Sequence, residues 1–266
     1  MIDYTGTTVL VTGAASGIGE ALAMAFSLRG AKVICADRDV TGAEETAASI
    51  GSAALAIECD LADPLAAEKI VQQSHAVSGR LDVICSNAGI GHRGSPFSVD
   101  MNEDLTLSLL FEVNFYAGLK IAQAYVQLLK KHKQQGRLMV TASENSLSVP
   151  EAVKKGKMAF YAATKHSLLV ALEWMRLDQE GGPMYLHALL PGAVYTPLVS
   201  KALPEPSMAP PELELISAER CAEIALAGLD NDLFYIPTQA HLLTDMQPRT
   251  DAIENALNIL GIEKTF

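Results

Sequence analysis

The chain has 266 residues, of which 49% are hydrophobic, and a formal net charge of −11. That length suits one α/β domain or two small ones, and no Pro/Gly/Ser-rich linker or internal repeat divides it, so a single domain over residues 1–266 is expected. The acidic balance argues against a nucleic-acid partner, because a phosphate-binding surface needs clustered Lys and Arg; the nearest cluster, Lys154, Lys155 and Lys157, reads as a solvated loop. Residues 1–5 show neither a basic segment followed by an apolar core nor a bilayer-spanning run, so a cytoplasmic protein without membrane contact is expected. Cys35, Cys59, Cys85 and Cys221 have no Cys-x-x-Cys spacing and read as buried free thiols. The 6 histidines show no metal-ligand spacing either, so no metal site is expected.

Taken in order, residues 7–11 are a β-branched run that predicts a strand. It leads directly into Thr12-Gly-Ala-Ala-Ser-Gly-Ile-Gly19, and apolar residues at helical spacing follow through Ala21, Leu22, Ala25, Phe26 and Leu28. A strand, a glycine turn and a helix start form a cradle for a dinucleotide pyrophosphate, with backbone N–H groups and the positive helix end facing the phosphates. Gly13, Ser16, Gly17, Ile18 and Gly19 are the candidate contacts. Residues 31–36 read as a second strand ending at Asp37, where a carboxylate can accept hydrogen bonds from an adenosine ribose. This favours NAD. Arg38 complicates the choice, since a guanidinium there can accommodate the 2′-phosphate of NADP.

Residues 54–59 read as a third strand followed by Asp60-Leu61, which places Asp60 at a strand's carboxyl end as a ligand contact or a turn cap. Scaffold helix follows, with Leu65, Ala66, Ile70, Val71 and Val77 on its apolar positions. Residues 81–85 then form a fourth strand that ends at Asn87-Ala88-Gly89, small enough for close packing on a cofactor. The helical pattern over 111–129 contains Asn114, a poor interior helix former, and a local distortion is expected there. Residues 138–141 make a fifth strand, with Ser143 just beyond it. Residues 150–158 look like a loop.

Tyr161-Ala-Ala-Thr-Lys165 lies in an amphipathic helical pattern, so Tyr161 and Lys165 share a face. An ammonium about 4 Å from a phenol, at an effective dielectric of about 20, is worth on the order of 4 kcal/mol. That is about three pH units of phenol acidity, enough for proton transfer near neutrality. Residues 185–190 form a sixth strand. Residues 195–211 are rich in Pro and short of periodicity, and the whole of 195–216 reads as a substrate lid carrying Leu198, Leu203 and Met208. Ser217 is placed to cap a helix over 218–229. Residues 233–237 read as an edge strand, and the end segment 245–266, with Ile253, Leu257 and Leu260 at helical spacing, could pack on the domain or on another subunit.

These motifs, in this order and separation, resemble the short-chain dehydrogenase/reductase family over roughly residues 5–240. Residues 12–19 look like its Thr-Gly-x-x-x-Gly-x-Gly turn, Asn87-Ala88-Gly89 matches its Asn-Ala-Gly element, and Pro191-Gly192-Ala193-Val194-Tyr195-Thr196 looks like its nicotinamide-side turn. Asn114, Ser143, Tyr161 and Lys165 match its active-site tetrad. The resemblance implies that Tyr161 transfers a proton, Ser143 orients the substrate oxygen, Lys165 tunes Tyr161 and holds the nicotinamide ribose, and the Asn114 backbone binds a relay water. It also implies cofactor contacts at Asp37, Arg38, Asp60, Leu61, Pro191, Gly192, Val194 and Thr196. Two departures stand out. Ser86 precedes Asn87 where many relatives have Asn, and the interval from Ser143 to Tyr161 is longer than usual. Ser146 and Ser148 compete for the serine role, so Ser143 rests on its register after Gly136-Arg137-Leu138.

The expected fold is α/β, a doubly wound Rossmann-type parallel sheet with helices on both faces. The expected activity is NAD(P)-dependent hydride transfer between nicotinamide and a secondary alcohol or ketone, with NAD the favoured cofactor and a fairly large, partly apolar small-molecule substrate. A homodimer or homotetramer is expected. The rivals are a catalytically silent dinucleotide-binding sensor or scaffold, and an epimerase or dehydratase on the same fold.

Overall fold

The computed structural model describes residues 2–101, 104–200 and 203–262. Residues 201–202 of the expected lid and 263–266 of the end segment therefore lie outside the described residues. β1 (Thr8–Thr12) leads through the glycine turn to α1 (Gly17–Leu28), then β2 (Lys32–Asp37), α2 (Val40–Ile50), β3 (Ala54–Glu58), α3 (Ala66–Ala76) and β4 (Val83–Ser86). Next come α4 (Leu105–Phe111), a π-helical turn (Glu112–Tyr116), α5 (Ala117–His132), β5 (Gly136–Thr141), α6 (Glu151–Lys155), α7 (Ala159–Asp178) and β6 (Met184–Leu190). The chain continues through β7 (Val194–Tyr195), α8 (Pro197–Ser200), β8 (Ile216–Ser217), α9 (Ala218–Asp230), β9 (Tyr235–Pro237) and α10 (Leu242–Leu260).

Seven strands form one sheet in the order β3-β2-β1-β4-β5-β6-β9, and every pairing is parallel. Parallel neighbours need crossover connections, here mostly helical, and those cover both faces. The strands alternate accordingly. Leu10, Ile34, Ile84 and Leu138 enter a core with Ile70 of α3, Ile121 of α5 and Leu168 of α7. Their neighbours Val9, Val33, Cys85 and Met139 enter a second core with Leu22 and Phe26 of α1, Ala43 of α2 and Ala225 of α9. Strand order reverses between β1 and β4, which opens a crevice at the carboxyl edge of the sheet.

The distortion expected at Asn114 is the π-helical turn, closed by the Ala117 N–H donating to the Glu112 carbonyl. The run Leu105–His132 is long and apolar enough to cross a bilayer by length and composition, yet here Ile121, Tyr125 and Leu129 are buried against the sheet. All four cysteines are free and buried. Ser217 caps α9 as expected, accepting from the Arg220 N–H.

One expectation changes and two gain detail. The stretch 150–158 is not a plain loop: it contains α6, and Met158 pairs with Gly94. The expected lid is joined at its base by β7–β8 pairing and holds α8 and two 3₁₀ turns. The end segment is α10, whose first turns hold Leu242 and Met246 on the core, whereas residues 251–262 are exposed.

Candidate active site

A cleft of about 510 Å³ lies at the carboxyl edge between β1 and β4. Gly13 has φ +69° and a Cβ there would sit 2.8 Å from Ala88 Cα, so only glycine lets the turn lie against the Asn87-Ala88-Gly89 backbone. Gly19 is pressed against the Gly13 peptide from below, where a Cβ would be 2.6 Å from Gly13 C. Thr12 Oγ1 accepts from the N–H groups of Asn87 (3.0 Å) and Ala88 (3.2 Å), which knits the two turns together. Asp37 is fixed by two N–H donors, Ala15 on Oδ2 (3.0 Å) and Asp39 on Oδ1 (2.9 Å). Glycines that admit backbone only, the free N–H end of α1 and a carboxylate across the cleft fit a dinucleotide: pyrophosphate at Gly13 to Gly19, ribose at Asp37.

The chemical end of the cleft is built by three elements. Tyr161 and Lys165 line it from α7. Ser143 lies just beyond β5, its Oγ donating to Pro191 O (3.3 Å) and accepting from the Asn145 N–H (3.2 Å). In the π-helical turn, Asn114 pairs with the Ile90 main chain, accepting from its N–H at 2.8 Å and donating to its carbonyl at 2.9 Å. Its amide also reaches Thr164 Oγ1 at 3.3 Å.

Electrostatics here differ from the expectation drawn from spacing. Lys165 Nζ donates to Thr141 O (2.7 Å) and lies 5.8 Å from the Tyr161 ring centre, and the lysine charge is not among the influences that set the phenol. Burial pushes the Tyr161 phenol up to about 12; its hydrogen bond with Ser143 opposes this, and the nearby Glu144 carboxylate adds to it. Burial also brings Lys165 down to about 8. In this geometry the phenol is held protonated at neutral pH.

Residues 7–206 match the family model described as short chain dehydrogenase. The chain belongs to the short-chain dehydrogenase/reductase family. A 1-deoxy-11-beta-hydroxypentalenate dehydrogenase of Streptomyces avermitilis is 35% identical over 243 residues, covering 90% of this chain and 86% of that protein. The fold matches a short chain dehydrogenase/reductase from Burkholderia phymatum in complex with NAD, with a TM-score of 0.83 at 20% identity over 96% of this chain and 97% of that one. A putative NAD(P) dependent gluconate 5-dehydrogenase from Beutenbergia cavernae, with bound NADP at low occupancy, gives 0.77 at 26% identity over 90% and 98%. The chain is thus a nicotinamide-dinucleotide oxidoreductase acting between a secondary alcohol and a ketone, with small molecules as its substrates. The dinucleotide supplies the hydride chemistry.

Of the family residues read from sequence, Gly13, Ser16, Gly17, Ile18, Asp37, Arg38, Asp60, Leu61, Asn87, Ala88, Gly89 and Thr196 line the cleft. Gly19, Asn114 and Ser143 stand behind this lining, and Pro191, Gly192 and Val194 do not line it either. Pro191 offers its carbonyl to Ser143, Gly192 donates to Gln239 Oε1 (2.8 Å), and Val194 is buried in the second core beside β8. Their backbone shapes the turn while Thr196 faces the cleft. The sequence reading passed over Ala15, Ile90, Val113 and Thr141, which also line it. Position at a strand end could have revealed Thr141, adjacency to Asn114 could have revealed Val113, and adjacency to Gly89 could have revealed Ile90.

Proposed function

We propose that Tyr161 is the proton-transfer group of this oxidoreductase, because its phenol lies on the cleft wall one helical turn from Lys165, which lines the same wall. Its phenol gives a proton to the ketone oxygen in reduction and takes it back from the alcohol in oxidation. Ser143 Oγ orients that oxygen. Lys165, with Tyr161, would hold the nicotinamide ribose and carry the proton onward, and the π-helical turn at Asn114 offers a carbonyl outside the regular helix ladder for a relay water. The test is Tyr161→Phe with NADH and a ketone panel, followed by NADH absorbance. We expect turnover to fall by about 10²- to 10⁴-fold with dinucleotide affinity unchanged; an active Phe variant refutes the assignment.

The cofactor we assign is NAD. Asp37, fixed by two N–H donors, presents a carboxylate where a 2′-phosphate would bring like charge, and this outweighs the exposed Arg38. For substrate we favour a fairly large, partly apolar alcohol or ketone, held under residues 195–216. Ile90, Val113 and Leu198 give the cleft apolar walls, and the relative named for a hydroxypentalenate supports a substrate of this kind. The reading of a homodimer or homotetramer is supported by exposed apolar side chains, Leu105, Leu109 and Tyr116 in one group and Val170, Trp174 and Leu177 of α7 in another. A monomeric mass in light scattering would contradict it. We place the enzyme in the cytoplasm.

A further inference from the structure

The Ser143 turn, the Pro191 turn, the end of the 195–216 segment and the start of α10 meet at one polar hub. Glu144 follows Ser143 in a buried 3₁₀ turn, and its N–H donates to Pro191 O (2.9 Å). His241 Nε2 lies 2.9 Å from Glu144 Oε2, and its Nδ1 lies 3.3 Å from Glu214 Oε2. Glu214, the residue before the final turn into β8, has φ +44°, and its carboxylate also accepts from the Ala240 N–H (3.3 Å). Gln239, itself buried, accepts from the Gly192 N–H (2.8 Å) and donates to Ala193 O (3.0 Å). Asp245 of α10 is the remaining charged group facing His241, at 3.9 Å. Arg249, a turn further on, is engaged elsewhere, by Leu147 O and His166.

We propose that Glu144 and His241 are positioning residues: an imidazolium seated between the Glu144 and Glu214 carboxylates ties the Ser143 turn to the base of the 195–216 segment, and so sets how tightly substrate is held. This rests on the roles given above to Ser143 and to that segment. Nε2 is hydrogen-bonded to Glu144, whereas Nδ1 lies 3.3 Å from Glu214 Oε2 without hydrogen-bond geometry, so a charged imidazole attracts both carboxylates, while a neutral one keeps only the Nε2 contact and loses its attraction for Glu214. Burial pulls the imidazole down, but Glu144 and Glu214 outweigh it and leave it above its ordinary 6.5. Burial pushes the Glu144 carboxyl up, with His241 opposing. A base whose pKa is raised by its partners gives its stabilisation fully below the ordinary value and loses it as pH rises through the raised one. The latch is therefore closed in mild acid and released toward alkaline pH.

The experiment follows NADH-dependent reduction of 2-decalone, a fused bicyclic ketone, from about pH 6 to about pH 9, the range across which a histidine changes charge. In the wild-type enzyme KM should rise on the order of tenfold, the loss of one charge-assisted contact, with kcat changing less. His241→Gln and Glu144→Gln should show the high KM at every pH, with unchanged dinucleotide affinity. A merely structural role would lower stability and kcat without flattening the pH dependence of KM. Hydrogen–deuterium exchange of residues 212–217, corrected for intrinsic rate, is read on the same samples. Protection should fall with rising pH in the wild type and be low throughout in His241→Gln. Wild-type KM and protection that are both flat across this range overturn the proposal without reference to any variant, as does a folded His241→Gln that keeps the wild-type pH dependence. If 2-decalone is not turned over, the substrate reading fails, and exchange decides the latch by the same outcomes.

Discussion

Lys165 is held in the native state at a cost that can be measured. The residue is 3% exposed, and burial lowers its pKa from the ordinary 10.5 to about 8. At roughly 1.4 kcal/mol per pH unit, that drop represents about 3 kcal/mol against the folded state at neutral pH. Lys165→Met removes this cost but leaves Thr141 O without its 2.7 Å donor, a loss of about 1 kcal/mol or somewhat more. Burial wins. The variant should be more stable by about 2 kcal/mol at pH 7, with Tm higher by roughly 4–8 °C for a chain of this size, while turnover collapses. The sign with pH is fixed: between about 8 and 10.5 the unfolded chain holds a proton that the folded one has released, so wild-type stability rises with pH relative to the variant. Urea denaturation of both proteins without added dinucleotide, at pH 7 and in steps to pH 10, checks this. A variant no more stable at pH 7, or a gap that stays constant to pH 10, refutes the reasoning.

Gly19→Ala places a methyl 2.6 Å from Gly13 C and 2.8 Å from Asn87 Nδ2, an overpacking of about 1–3 kcal/mol; dinucleotide affinity, read by fluorescence titration, should weaken about tenfold or more. Asp37→Ser should narrow the preference for NAD over NADP, measured as the ratio of the two kcat/KM values, and an enzyme that already prefers NADP would show that Arg38 dominates. The double variant Leu198→Ala, Met208→Ala should lose efficiency most on the largest apolar alcohols; equal loss across the series would mean that residues 195–216 do not read the apolar body.

The sheet was legible because strand periodicity and glycine chemistry act locally. Val9 and Leu10, or Val33 and Ile34, alternate between the two cores as a strand of period two requires. Asn114 also announced its π-helical turn, since a residue that disfavours the helix interior sits at the centre of a long apolar pattern. Side-chain position was harder to read. Helical spacing places Tyr161 and Lys165 on one face, but it does not foretell that the ammonium is engaged by the Thr141 carbonyl, brought there by β5. Glu144, His241 and Glu214 come from three separated segments, and no spacing could have joined them. Pro191 to Val194 kept the family's order, yet its cleft contact falls to Thr196 because Val194 is claimed by the second core.

The four buried thiols have a practical consequence for following this enzyme in motion. Burial pushes Cys35 and Cys59 up to about 11, Cys221 up to about 12, and Cys85 higher still. Only a thiolate attacks maleimides at a useful rate, so the native chain behaves toward such reagents almost as though it had no cysteine. Cys59, which edges onto the cleft, is also where bound dinucleotide would shield it. A single Met208→Cys change, at a side chain 62% exposed, would then carry a fluorophore or spin label on the 195–216 segment without first stripping the natural thiols from the sheet.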